Sequence, residues 1–213
     1  TVLSSDNQRI GLRTVRLNMD SVNDLPRKRG DFSFYVNGER IFIHGTNWVP
    51  VDGLHSRDKQ HYQKMIDMAN DLNCNMIRCW GGSVYEDDSL FNLCDENGIL
   101  IWQDFAMACT FYPQRAEWTK GLEKEIQSVV VRLRNHPSLA LWAGNNEDDG
   151  VFYQLRNFGW DPNKDVVSRK LIPQVLYEFD YTRPYIPSSP YFSEAVIRRG
   201  ANDNDLPENH LWG

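Results

Sequence analysis

The chain has 213 residues, 41% of them apolar, and a formal net charge of −6. That apolar share suits a soluble globular core in one domain, or in a domain with an appendage. The negative balance argues against a nucleic-acid backbone as the main partner, and no apolar run is long enough to span a bilayer.

Residues 1–30 are polar and end in Pro26-Arg27-Lys28-Arg29-Gly30. Alternation over residues 10–17 predicts one strand. The segment is too short to fold alone, and we read it as the tail of a preceding β-domain plus a linker. The chain opens Thr1-Val2-Leu3 with no Met, like a cut inside a longer polypeptide. Residues 32–36 and 40–43, joined by Asn37-Gly38, predict a hairpin, because Asn-Gly supplies the positive φ angles of a type I′ turn. Residues 41–45 are expected to be the first barrel strand and 46–50 its outgoing loop. Apolar spacing predicts a helix over 58–72. Residues 74–80 are the next strand, ended by Gly81-Gly82. A helix over 85–97 stops at Asn97-Gly98, with Gly as the left-handed cap. Residues 99–105 form the third strand and 118–134 a helix stopped by Pro137. Residues 139–143 form the fourth strand. A helix over 168–180 and a short strand within 183–190 complete the pattern.

Strand and helix alternate from residue 40 onward, which predicts parallel strands with helical crossovers. The expected fold is α/β, a partial (β/α)8 barrel. About five of the eight strands of a full barrel are visible, and such a barrel needs about 250 residues. Residues 31–213 are therefore read as the N-terminal part of a truncated barrel domain, with more barrel after Gly213.

The fourth strand, Leu139-Ala140-Leu141-Trp142-Ala143, runs into Gly144-Asn145-Asn146-Glu147. A buried strand that ends in polar groups delivers them to the mouth of a parallel sheet. Glu147 and Asn146 are thus site candidates. Arg78, at the end of the second strand, is either a bidentate carboxylate-orienting group or a structural ion pair. Asp104, at the end of the third strand, is either an acceptor for ligand hydroxyls or a buried structural acceptor. Trp48 and Trp80 are either stacking faces for a sugar ring or core, and Trp102 is read as packing. Cys74, Cys79, Cys94 and Cys109 lack CxxC spacing and are read as buried thiols. His44, His55, His61 and His136 form no HExxH-type set, so no metal is assigned. No GxxxxGK[ST] or GxGxxG segment joins a strand to a helix.

Several of these segments together resemble glycoside hydrolase family 2. They are Val36-Asn37-Gly38, His44-Gly45-Thr46-Asn47-Trp48-Val49-Pro50, Asn75-Met76-Ile77-Arg78-Cys79-Trp80-Gly81-Gly82, Trp102-Gln103-Asp104-Phe105 and Trp142-Ala143-Gly144-Asn145-Asn146-Glu147. The Trp-Gly-Gly and Trp-Gln-Asp-Phe forms look most like the β-mannosidase branch. The resemblance implies a (β/α)8 barrel after a jelly-roll and an immunoglobulin-like sandwich, with residues 1–30 as the sandwich's end and linker. It implies a retaining exo-β-glycosidase with Glu147 as acid/base and Asn146 on the sugar 2-hydroxyl. It also gives Arg78 support of the nucleophile, and a far wall of Ser188, Ser189, His210 and Trp212. No cofactor is implied, and the partner is a carbohydrate substrate. The family's nucleophile closes strand seven, which this chain is expected to lack. Glu178, Glu194 and Glu208 have no strand-end apolar run before them, so the chain alone is expected to be inactive. β-Galactosidase, β-glucuronidase and β-glucosaminidase specificities stay open, as does a carbohydrate-binding pseudo-enzyme.

Overall fold

The computed structural model describes residues 3–20, 31–200 and 206–211. Two sheets carry it. The first is antiparallel, in the order β1 (Val15–Asp20), β2 (Asp31–Val36), β3 (Glu39–Ile41). The second is parallel, in the sequential order β4 (Gly45–Trp48), β5 (Met76–Cys79), β6 (Leu100–Asp104), β7 (Leu139–Ala143), β8 (Tyr185–Ile186). Sequential order with helical crossovers is barrel topology. The five described strands form an open sheet and not a closed barrel.

The β2–β3 turn follows the expectation from Asn37-Gly38: both residues take positive φ, 52° and 86°. The first strand lies later than its alternation suggested. Ile10 and Leu12 are exposed and meet no partner strand, while β1 pairs with β2, across the expected boundary at residue 30. Upstream of β1 the chain is tied to the base of the parallel sheet. The Arg13 guanidinium donates to the carbonyls of Pro137 and Leu139 at 2.8 and 2.7 Å.

The expected first barrel strand, residues 41–45, needs correction. Ile41 pairs with Phe34 in the antiparallel sheet, and the parallel strand begins only at Gly45. Asn75 sets the crossing between the two sheets. Its side chain accepts from the His44 N–H and donates to the Phe42 carbonyl. Gly45 passes so close to the Met76 carbonyl that a Cβ would come within 2.3 Å.

Helices α1 (Tyr62–Asp71), α2 (Asp88–Asn97), α3 (Ala116–Leu133), α4 (Asp148–Gln154), α5 (Ile172–Phe179) and α6 (Glu194–Arg198) complete the described regular structure, together with short 3-10 turns and a π-helical turn at Val167–Leu171. The expected start at residue 58 is a 3-10 turn, His55–Gln60, leading into α1. The expected helix over 168–180 begins as the π-turn and continues as α5, where the Pro173 ring's missing N–H falls in the first helical turn. Gly98 caps α2 at φ 69° as expected. Helices α4 and α6 were not anticipated.

Strand alternation sorts the core into two layers. Ile77, Cys79, Ile101 and Trp142 face the helices in the larger cluster. Met76, Trp102, Leu141 and Ala143 face the other way, onto Phe34 and the antiparallel sheet. Strand β7 is buried on both faces, as a central parallel strand must be. Trp142 stacks on Phe105 and donates to Asp180 at 2.8 Å. Arg183 clasps Asp180 and donates to the Leu139 carbonyl at 2.9 Å, fixing the base of β7.

Candidate active site

Past Ala143 the strand pairing continues as single bridges, Ala108 to Asn146 and Asn146 to Ser189. Gly144 permits this. A Cβ there would meet the Pro187 carbonyl at 2.2 Å. The Asn145 side chain is spent on structure: it accepts from the Ser188 hydroxyl at 2.6 Å and donates to the Pro187 carbonyl. Glu147 follows with φ 65°, a left-handed conformation that a Glu adopts only when its surroundings impose it. Its N–H is held by the Ser189 carbonyl at 2.9 Å, and α4 starts on the next residue. The backbone reverses at Glu147, which aims its carboxylate into a cleft of about 540 Å³ at the carboxyl ends of the strands.

Asn47, Arg78, Trp80, Trp102, Cys109, Asn146, Glu147, Ser189, Glu208 and His210 are among the residues lining that cleft. One polar network links most of them. Arg78 engages Asp104 through Nη2 at 2.8 Å and Nε at 3.3 Å, donates to Asn146 Oδ1 at 3.0 Å, and lies 3.2 Å from His210 Nε2. His210 Nδ1 is 2.5 Å from Glu147 Oε1. The thiol of Cys109 donates to Glu147 Oε2 at 3.5 Å, and Asn146 Nδ2 donates to that sulfur at 3.2 Å.

The structure thus brings Glu147, Asn146, Arg78 and Trp80 to one cleft. Asp104 sits behind Arg78. Its two oxygens accept from Arg78, the Gly81 N–H and the Trp102 indole, which occupies its lone pairs. Burial lifts its pKa, while Arg78 and the donated N–H groups oppose the rise. Of its two sequence readings, the geometry matches the structural acceptor. Of the two readings of Trp48, the geometry matches core. In register with Cys79 on β5, it points to the helix layer, 5% exposed, and its indole donates to Glu86 at 2.8 Å. Asn47, paired with Arg78, takes the cleft face instead. Trp102, read as packing, also borders the cleft. Ser189 and His210 line the wall, Ser188 is fully buried, and Trp212 lies outside the described residues.

The structure adds to the sequence reading at the cysteines and at Glu208. Cys79 and Cys94 are buried thiols as read, but Cys74 is only half-buried and Cys109 is exposed in the cleft. Glu208, set aside for want of a strand before it, lies in the cleft wall 3.2 Å from the Ser189 hydroxyl. Burial pushes its carboxyl up to about 7, with Arg78 and Ser189 pulling the other way. Its only sequence signal was proximity to His210 in Glu208-Asn209-His210. Among the described residues no group of three or more His, Cys, Asp or Glu is arranged to hold a metal ion.

Residues 29–184 match the family model described as glycosyl hydrolases family 2, TIM barrel domain. The chain is 36% identical over 204 residues to a beta-mannosidase of Bos taurus, covering 90% of this chain and 22% of that protein. It is 37% identical over 219 residues to beta-mannosidase B of Neosartorya fischeri, covering 96% of this chain and 25% of the relative. The crystal structure of a beta-D-mannosidase from Dictyoglomus thermophilum superposes with a TM-score of 0.85 at 36% identity, covering 99% of this chain and 25% of that one. The chain therefore spans about a quarter of the length of the curated relatives it matches.

Proposed function

Since this chain belongs to glycosyl hydrolase family 2 and carries part of its TIM barrel domain, we propose that it is the first part of the catalytic domain of a retaining exo-β-glycosidase acting on terminal β-mannosides. Residues 1–30 are then the end of a preceding sandwich domain and its linker, and residues 31–213 open the barrel. The chain is covalently continuous with further domains. The observation that carries the reading is Glu147, aimed into the cleft beside Asn146 in a chain at 36–37% identity to proteins named as beta-mannosidases.

In this reading Glu147 protonates the departing glycosidic oxygen, then draws a proton from the water that releases the sugar. Asn146 holds the sugar 2-hydroxyl. Its Oδ1 is engaged by Arg78 and its Nδ2 by Cys109, yet each keeps a second lone pair or proton for a hydroxyl. Trp80 offers an apolar face to the ring. Arg78 positions Asn146 and supports the nucleophile. Glu208 makes a poor nucleophile: it follows no strand-end apolar run, and a carboxyl held up to about 7 is about half protonated at neutral pH, whereas the attacking group must be ionised. The nucleophile is therefore assigned to a barrel strand outside this chain, and the 213 residues alone are expected to be inactive.

A panel of 4-nitrophenyl β-glycosides (mannoside, galactoside, glucuronide, glucosaminide) tests this on the longer polypeptide and on the isolated chain. The expected result is mannoside turnover by the longer polypeptide only, abolished by Glu147→Gln. A faster galactoside, glucuronide or glucosaminide would replace the substrate assignment. Silence across the panel would favour a sugar-binding protein without chemistry. Turnover by the isolated chain would overturn the missing-nucleophile reading.

A further inference from the structure

Cys109 has no place in the reaction as drawn above, yet the backbone around it is arranged to hold its side chain in one position. The residue sits at φ 53°, a left-handed conformation uncommon for a side-chain-bearing residue. Three consecutive N–H groups fix it there. The Ala108 N–H donates to the Tyr112 hydroxyl at 3.0 Å, the Cys109 N–H to the Asn146 carbonyl at 2.8 Å, and the Thr110 N–H to Asp148 Oδ1 at 3.2 Å. Left-handed Cys109 and left-handed Glu147 thus face each other across the bridge between the ends of β6 and β7. Such strain persists only where the surroundings over-determine it, and it concentrates at functional sites.

We propose that Cys109 is a positioning residue for Glu147: its S–H holds Oε2 while His210 holds Oε1, so that the carboxyl has one orientation across the cleft. This rests on reading Glu147 as the acid/base. The same sulfur accepts from Asn146 Nδ2, so one side chain orders both the acid/base and its sugar-binding neighbour. Partial burial raises the thiol's pKa, and the neighbouring Glu147 carboxylate adds to the rise. The thiol therefore stays protonated and can donate. Thiols are weak donors, and the role asked of this one is orientation, with no transfer of its proton.

The consequence depends on the leaving group. An alkoxide needs a proton from Glu147 as the glycosidic C–O bond breaks, whereas 2,4-dinitrophenolate departs without one. In the longer polypeptide, Cys109→Ala is expected to lower kcat/KM for methyl β-mannoside about tenfold and for 2,4-dinitrophenyl β-mannoside less than about twofold. Cys109→Ser, which keeps a donor at nearly the same place, should restore most of the loss. Equal losses on both substrates, no loss, or no recovery with Ser would overturn the positioning role. Glu147→Gln separates that failure from failure of the underlying reading. If it does not itself penalise the methyl glycoside more than the dinitrophenyl one, or if the wild type turns over neither, the acid/base assignment falls and this inference falls with it.

Discussion

At the residue scale the cleft is organised by Arg78. It joins buried Asp104 to Asn146 and lies against His210, and its guanidinium sits 5.3 Å from the Trp102 ring centroid. A planar fork makes these contacts at once; an ammonium cannot. Arg78→Lys keeps the charge and loses the geometry. In the longer polypeptide its expected effect is a fall in kcat/KM on 4-nitrophenyl β-mannoside of about a hundredfold, with the circular dichroism spectrum unchanged. A variant within threefold of the wild type would mean that the charge alone suffices. Arg78, Asn146 and Glu147 could be picked from the sequence because each lies at the end of an apolar strand, and the structure brings the three to one cleft. The sequence named His210 for the far wall only through the family resemblance and gave Glu208 no place, because the described residues 206–211 that carry both to the cleft form no strand or helix.

At the element scale, caps and register decide what each strand presents. Helix α2 is capped by Asp87, whose side chain accepts from the Ser89 N–H at 2.8 Å. Hydrogen bonds from Ser89 hold its pKa down at about 2, helped by Lys59. A carboxylate whose folded pKa lies below its unfolded value of about 3.9 contributes stability that is fully present above that value. The contribution is lost as pH falls towards the folded pKa. Asp87→Ala is expected to cost about 1 kcal/mol at pH 7, and the difference from wild type should narrow below about pH 4. Urea midpoints across pH 3 to 7 test this; a gap independent of pH would remove the cap from the account. Register explains Trp48. The sequence reading put Trp48 in the loop after the strand, whereas the pairing with β5 runs on to Trp48 and Cys79, so strand alternation assigns its face. The tryptophan turned to the helices and Asn47 to the cleft.

At the scale of the whole molecule, buried carboxyls behind the cleft couple stability to pH in the opposite sense. Burial pushes Asp148 up to about 8 against the Thr110 N–H that it accepts, with Asp165 and Asp149 adding to the rise. Between the unfolded value of about 3.9 and the folded one the native state holds more protons than the unfolded state, so stability falls as pH rises through that window. Glu208, held up to about 7, acts in the same direction. Asp148→Asn removes the Asp148 share while leaving an oxygen for Thr110. The variant should therefore be stabilised relative to wild type at pH 8 by more than at pH 5. Denaturant midpoints at the two pH values test it, and an equal difference at both would place the titration elsewhere.

The sequence by itself determined the alternation of strand and helix, the Asn37-Gly38 turn, the Gly98 cap and the family, because these are written in local periodicity, turn chemistry and contiguous motifs. The site candidates at the ends of β5 and β7 were legible for the same reason. Tertiary structure alone decided which of two readings applied to Asp104, which face Trp48 took, and that Cys109 and Glu208 belong to the cleft. Those outcomes depend on partners distant in the chain. Asp104 is defined by Arg78, Trp48 by its register with Cys79, and Cys109 by Glu147, 38 residues away. No local pattern encodes which side chains a closed set of hydrogen bonds will bring together.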